Sequence, residues 1–142
     1  MKPSSSVRLE AIHCTFDIER PAPRVVVLRI EGFDVGELAD APFRILADDI
    51  AEDRADPRPI ELFIDARATR AATVAVSAGW ATWLKRHKRH FRHVSMLTGS
   101  RFIQVTASFV RRFSDLEQMR LYTDPRAFEQ ALRDAVSGAA AS

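Results

Sequence analysis

The stretch Pro59–Leu84, PIELFIDARATRAATVAVSAGWATWL, narrows the folds open to this chain more than any other. It begins with a short apolar run, Ile60–Ile64, set off by Pro57 and Pro59, and the run stops at Asp65. A polar segment, ARATRA, follows. Then comes a long stretch at helical spacing that holds both tryptophans, Trp80 and Trp83. Strand, charged turn and helix in that order make half of a βαβ unit. Such a unit places its turn at the carboxyl end of a sheet strand, the edge at which open α/β sheets bind.

The same alternation continues on both sides. Arg24–Glu31 (RVVVLRIE), dense in β-branched residues and stopped by Gly32, is the strongest strand signal. His13–Glu19 alternates weakly ahead of it. The turn Arg20–Pro23 is short enough to make the two an antiparallel pair. A helix within Val35–Asp53 puts Leu38, Phe43, Leu46 and Ile50 on one face, starting at Asp40 or kinked at Pro42. Arg54–Pro59 reads as a polar loop. Ile60–Asp65 is the next strand, followed by a helix over Ala72–His90. A strand His93–Thr98 closes at Gly99, and Ser100 caps a helix over Arg101–Phe113. Met119–Thr123 is the last strand. Asp124, with Pro125 at the first helical position, caps a final helix to Val136.

These elements predict an α/β fold with a mixed, mostly parallel five-stranded sheet and an antiparallel N-terminal edge strand. The order is β-β-α-β-α-β-α-β-α, with right-handed crossovers. Residues 1–12 read as a flexible arm, 13–136 as a single domain and 137–142 as a flexible tail. One strand face is clean, with Val26, Leu28 and Ile30, then Ile60, Leu62 and Ile64. The opposite face carries Arg29, Glu61 and Arg120. Strands buried on both faces read as unbroken apolar runs. Helices are therefore expected mainly on one face, with the other partly open or used for association.

The 142 residues suffice for one domain with a real core. With 21 basic and 19 acidic residues the net charge is only +2, so the placement of charge matters more than its sum. Cys14 is the single cysteine, which rules out an intramolecular disulfide and a cysteine metal cluster and fits a reducing cytoplasm. The opening MKPSSSVRLE has no apolar h-region and does not read as a signal peptide. No apolar run approaches the ~20 residues of a transmembrane helix. G-x-S-x-G, H-E-x-x-H and paired-carboxylate signatures are absent. The expectation is a non-enzymatic chain without catalytic residues, cofactor or metal.

Four constellations stand out. In the Asp65–Thr73 segment, Asp65, Arg67, Thr69, Arg70 and Thr73 gather at a strand end. A phosphate on either threonine would meet two arginines and a helix N-terminus there. The plainer alternative is a solvated loop in which Asp65 caps amides. Gly99, Ser100 and Arg101 open a helix and form either a modest anion site or an ordinary cap. Lys85, Arg86, Lys88 and Arg89 lie in the basic run KRHKRHFRH over 85–93. They suit an anionic surface, or simply complement the helix dipole. Nucleic acid is disfavoured because only Phe91 lies inside the run to stack on bases. His87, His90 and His93 make a poor metal set, since His93 falls on the next strand. Finally, Ile103, Thr106, Ala107 and Val110 form a core seam in the helix Arg101–Phe113. Phe102, Phe109 and Phe113 flank it, as core or as an apolar interface.

The strand pair, the four βα units and the ending RFSDLEQMRLYTDPRAFEQAL together resemble the STAS-type fold. They are most similar to the small SpoIIAA-like proteins described as STAS/CRAL-TRIO-like. The resemblance covers roughly residues 13–136 and is densest over Val94–Leu132. It implies a cytoplasmic protein-binding or regulatory module, with a protein partner or a second copy as its target. Anti-sigma-factor antagonists of the family are switched by phosphorylation in an Asp-Ser-Ser-Gly-like turn. Here the place is held by Asp65-Ala66-Arg67-Ala68-Thr69-Arg70, and Thr69 and Thr73 are the nearest hydroxyls. The lipid-carrier cousins of the fold imply an alternative, a small carrier of an apolar or phosphorylated ligand using the Phe-rich helix. A contiguous cavity beneath Phe102, Phe109 and Phe113 would favour the carrier. A solid core with those rings outside would favour the binder.

Overall fold

The structure is a computed structural model that describes residues 6–52 and 58–141. In chain order the elements are β1 (Ser6–Glu10), β2 (Cys14–Ala22), β3 (Val25–Asp34), α1 (Ala41–Glu52), β4 (Ile60–Ala72) and α2 (Val74–His87). After a 3₁₀ turn (Lys88–His90) come β5 (Phe91–Thr98), α3 (Arg101–Ser114), β6 (Met119–Tyr122) and α4 (Pro125–Ala141). The six strands form one sheet in the order β1-β2-β3-β4-β5-β6. β1 and β2 are joined antiparallel to their neighbours, and β3 to β6 run parallel.

That strand order decides where the helices go. Each crossover from β3 to β6 adds the next strand on the same side, and crossovers of one hand then stack α1, α2 and α3 on one face. Their side of the sheet carries Phe16, Ile18, Val26, Leu28, Leu62, Ile64 and Val94. These residues pack with Leu46, Trp80, Trp83, Leu84 and Val110 in the larger core. Phe43 of α1 locks into it, 4.8 Å from the Trp80 ring and 5.5 Å from that of Trp83. No strand follows α4 among the described residues, and α4 takes the other face. There Phe128 and Leu132 pack on Val25, Val27, Phe63 and Leu97 in a separate, smaller core. Helices thus lie mainly on one face, as the strand pattern implies.

Two boundaries differ at the N-terminal side. The stretch read as an arm contains β1, which pairs along its whole length with β2, from Ser6↔Glu19 to Glu10↔Thr15. The sheet therefore has six strands where five were expected, and the 13–19 strand is not the edge. β1 is exposed at most positions and carries Arg8 and Glu10, so its composition resembles a loop. The predicted Arg20–Pro23 turn tightens to Pro23–Arg24, since β2 runs on to Ala22 and Ala22 pairs with Val25. Proline sets the first turn dihedral and Arg24 takes a positive φ of 64° at the second. At the other end α4 continues through the expected loose tail as far as Ala141. Residues 1–5 of the arm, 53–57 of the polar loop, and Ser142 lie outside the described residues.

The largest departure concerns β4. It does not stop at Asp65 but runs 13 residues to Ala72, so the segment read as a turn is strand. Beyond Ala66↔Thr98 it has outrun β5, and Arg67–Ala72 pair with β3 alone. The pairing survives by slipping. Arg29 faces Asp65 and Glu31 faces Ala68, which leaves Ala66 and Arg67 opposite the single Ile30. That is a bulge, with a ladder carbonyl at risk of going unpaired. Thr69 fills the gap, its Oγ1 donating to the Ile30 carbonyl at 2.8 Å. The strand ends where Thr73 N donates to the Asp34 carbonyl at 3.1 Å, and Thr73 then becomes the N-cap of α2. α2 accordingly starts two residues later than expected and hands over to the 3₁₀ turn after His87.

Removing the Thr69 hydroxyl leaves a buried carbonyl without its donor. Thr69→Val is expected to cost about 1–2 kcal/mol in urea unfolding, with Thr69→Ser recovering most of it.

Candidate functional site

Three parallel strands deliver their carboxyl ends to one edge, and the extension of β4 builds a shelf there. Glu31, Phe33, Arg67, Thr69, Arg70, Gly99 and Ser100 border a recess of about 650 Å³ on that shelf. The structure thus brings two separately predicted groups, Arg67–Thr69–Arg70 and Gly99–Ser100, to a single place. Contact between them is close. A Cβ on Gly99 would run into the Arg67 carbonyl, so only glycine lets the β5–α3 turn pass under β4. Ser100 then caps α3, its side chain accepting from Ile103 N at 3.2 Å. Arg101 is exposed beside it.

Asp65 does cap a backbone amide, but from a buried place in β4 and not from a solvated loop: it is 6% exposed. Its carboxylate accepts from Arg67 N at 3.1 Å, from Arg67 Nε at 3.0 Å and from Arg29 Nη1 at 3.5 Å. Arg67 reaches on to the Glu129 carboxylate of α4. The hydrogen bond to Asp65, offset in part by burial and helped by Glu129, raises the Arg67 pKa above its ordinary value. Arg67 is therefore a strut tying β4 to α4, and its charge is spent inside the protein. Arg70 and Arg101 make no ion pair or hydrogen bond among the described residues and remain available at the recess.

Neither threonine is placed as a turn hydroxyl. Thr69 is 7% exposed with its hydroxyl engaged, so it cannot present that oxygen to a kinase without opening the bulge. Thr73 is exposed and accepts from Val76 N at 3.2 Å as the α2 cap.

The aromatic helix divides cleanly. Ile103, Ala107, Val110 and Ser114 are buried, while Phe102 (58%), Val105 (67%) and Phe113 (59%) stand out in solvent. Phe109 is half-buried and its ring lies 4.2 Å from that of Phe113. Val105, one turn from Phe102, joins the same outer strip. Beneath the helix lies a cavity of about 50 Å³ among Ile64, Trp80, Leu84, Met96 and Val110.

The basic run forms the end of α2 and the 3₁₀ turn. Lys85, Arg86 and Arg89 are exposed there, and Lys88 Nζ lies 3.8 Å from Asp115 Oδ2. His87 and His90 stay together, their rings 6.2 Å apart, with His87 packed on the Trp83 ring at 4.7 Å, while His93 Nδ1 lies 3.0 Å from Glu61 Oε1. Burial, then the charges of His90, Arg86 and Arg89, push the His87 pKa down. No cluster of three His, Cys, Asp or Glu side chains suited to a metal ion occurs among the described residues. Cys14 is buried, and burial with the nearby Asp34 and Glu37 pushes its thiol up to about 12, far from a reactive thiolate.

This edge carries the exposed Arg70, and α3, with Arg101 and the outward Phe102, starts from it. No helix among the described residues is long and apolar enough to cross a membrane.

Two predictions concern buried carboxylates. Asp65→Asn is expected to cost about 2–3 kcal/mol in urea unfolding, because Arg29 and Arg67 lose a buried partner. Glu129→Gln removes only a half-exposed pair and should cost under about 1 kcal/mol. Asp34 behaves oppositely. Burial raises its pKa, the Gly36 amide lowers it in part, and Glu37 adds to the rise. The folded state then holds this proton more tightly than the unfolded chain does. Its stabilising contribution is complete below the unfolded carboxyl pKa and is lost as pH rises through the folded value. Asp34→Asn, which keeps an acceptor for Gly36 N, should therefore raise the melting temperature at pH 7. The gain should vanish at pH 3.

No family model matches the chain, and no curated protein matches it. Among solved structures it is similar to the crystal structure of an uncharacterised protein of the DUF3478 family from Shewanella loihica PV-4, which has a SpoIIAA-like fold. The TM-score is 0.55 at 10% sequence identity, over 91% of this chain and 93% of that one. At that identity the likeness establishes the fold alone, a SpoIIAA-like α/β fold.

Proposed function

We propose that this chain, a SpoIIAA-like domain, is a non-catalytic regulatory module of the cytoplasm that binds a protein partner through the outer strip of α3. The observation that carries the reading is the exposure of Phe102, Val105 and Phe113 on a helix whose inner face is already satisfied by the core. Large apolar side chains grouped on a surface mark interaction sites, and aromatic residues supply much of the energy of protein interfaces. Charge supports the choice of partner. Arg101 flanks the strip at one end, with Arg70 on the adjoining shelf, and Arg111 and Arg112 flank it at the other. A protein surface with an apolar centre and acidic rim would be complementary.

The carrier reading draws less support. The space of about 50 Å³ beneath α3 has room for a few water molecules and not for a lipid or a drug-sized ligand.

A photo-crosslinking amino acid placed at Phe102 or at Phe113 in the native host tests the proposal, with the exposed Glu117 as control position. A discrete protein adduct is expected from both strip positions and not from the control. Phe102→Ser with Phe113→Ser should weaken the recovered complex by about tenfold or more. An adduct whose mass is two copies of this chain would identify a homodimer. No adduct at either strip position, or the same adducts from the control, would overturn the assignment.

A further inference from the structure

The sheet face that holds α4 is only half covered. In register across it lie three rows: Val25, Glu61 and His93; then Val27, Phe63, Ser95 and Arg120; then Arg29, Asp65, Leu97 and Tyr122. Phe128 and Leu132 of α4 close over Phe63 and Leu97. Alongside that contact a groove of about 760 Å³ opens between helix and sheet, its α4 side formed by Ala127, Ala131 and Ala135 together with Gln130 and Asp134. Small-molecule sites fall in the range of roughly 300–1,000 Å³.

The charges around this groove are unequal. Arg24, Arg58, Arg92 and Arg120 line it against Glu61 and Asp134. Both carboxylates are already answered. Glu61 Oε1 is 3.0 Å from His93 Nδ1 and 3.8 Å from Arg92 Nε, and Asp134 Oδ1 accepts from Gln130 Nε2 at 2.8 Å. Arg120 makes no hydrogen bond or ion pair among the described residues.

We propose that this groove is a binding site for a small organic anion, a phosphate ester or carboxylate on a compact apolar body. The acid group meets Arg120, and the apolar body lies along Ala127, Ala131 and Ala135. An arginine presented from a strand, with its backbone fixed by the sheet, is suited to a bidentate contact with either acid group. The inference uses none of the α3 residues. It stands or falls apart from the protein-binding proposal, and it makes the domain one that reads a metabolite on one face and a protein on the other.

The test is an amide-resolved NMR titration of the intact protein with phenyl phosphate, benzoate and neutral benzyl alcohol. Saturable shifts are expected at Glu61, His93, Arg120 and Ala131 for one or both anions, which also tells phosphate from carboxylate. Benzyl alcohol should bind at least about tenfold more weakly. Arg120→Gln should weaken the anion by about tenfold, and Ala131→Leu, which fills the groove, should abolish the shifts. Arg86→Gln, in the basic run, should leave them unchanged. Non-saturating shifts, shifts centred on Lys85–Arg89 or on Arg70 and Ser100, or equal affinity in Arg120→Gln would overturn the proposal.

Discussion

A hydrogen bond from the Thr69 hydroxyl to the Ile30 carbonyl braces the first of two register shifts through which β4 continues past its neighbour. Without a donor at that point, the two-against-one mismatch between β4 and β3 would leave a buried acceptor, and the strand would be expected to end near Asp65. With it, β4 gains the shelf that carries Arg67 and Arg70, and α2 starts from Thr73 at the far edge. The bulge also sets up the ionic strut. Asp65 and Arg67 lie on either side of the extra residue, close enough for the carboxylate to take both the amide and the guanidinium of Arg67. The guanidinium then reaches α4 through Glu129. One local irregularity thus connects the sheet, the helix on its second face and the recess at its edge.

The elements that could be read from the chain are those where local pattern and tertiary role agree. RVVVLRIE is β-branched because it is central, and it is β3. Ser100 and Asp124 announce α3 and α4 because a cap is a local device. Polar strands escaped the reading. β1 is an edge strand with one face in solvent, and SVRLE has no apolar run to report it. The ARATRA part of β4 hides for another reason: a bulge breaks the period of two. Burial there falls on Ala66 and Thr69, three apart, a spacing that does not look like a strand.

The candidate site shows the same division. Counting around the helix set Phe102, Phe109 and Phe113 beside the Ile103, Ala107 and Val110 stripe but left open whether they are core or surface; the structure turns Phe102 and Phe113 outward. The joining of Arg70 to Ser100 did not follow, since it depends on how far β4 overshoots β5. The groove beside α4 was legible only as charges on one strand face. Its depth comes from alanines on a helix some seventy residues from Glu61 in the chain, and no local pattern links the two.

The two cores differ in more than size. The larger one is assembled from β2 through β6 and three helices, and every element of it precedes α4 in the chain. The smaller one is completed by Phe128 and Leu132 alone. During synthesis the sheet can therefore form and close its first face while Phe63 and Leu97 still lie bare on the second. For that interval the nascent domain shows an apolar patch that the finished one conceals, and a chaperone has a surface to hold. When α4 docks, Glu129 meets Arg67 and the patch is withdrawn. The order of the elements along the chain thus acts as a timetable, with the second face sealed only after the first is built.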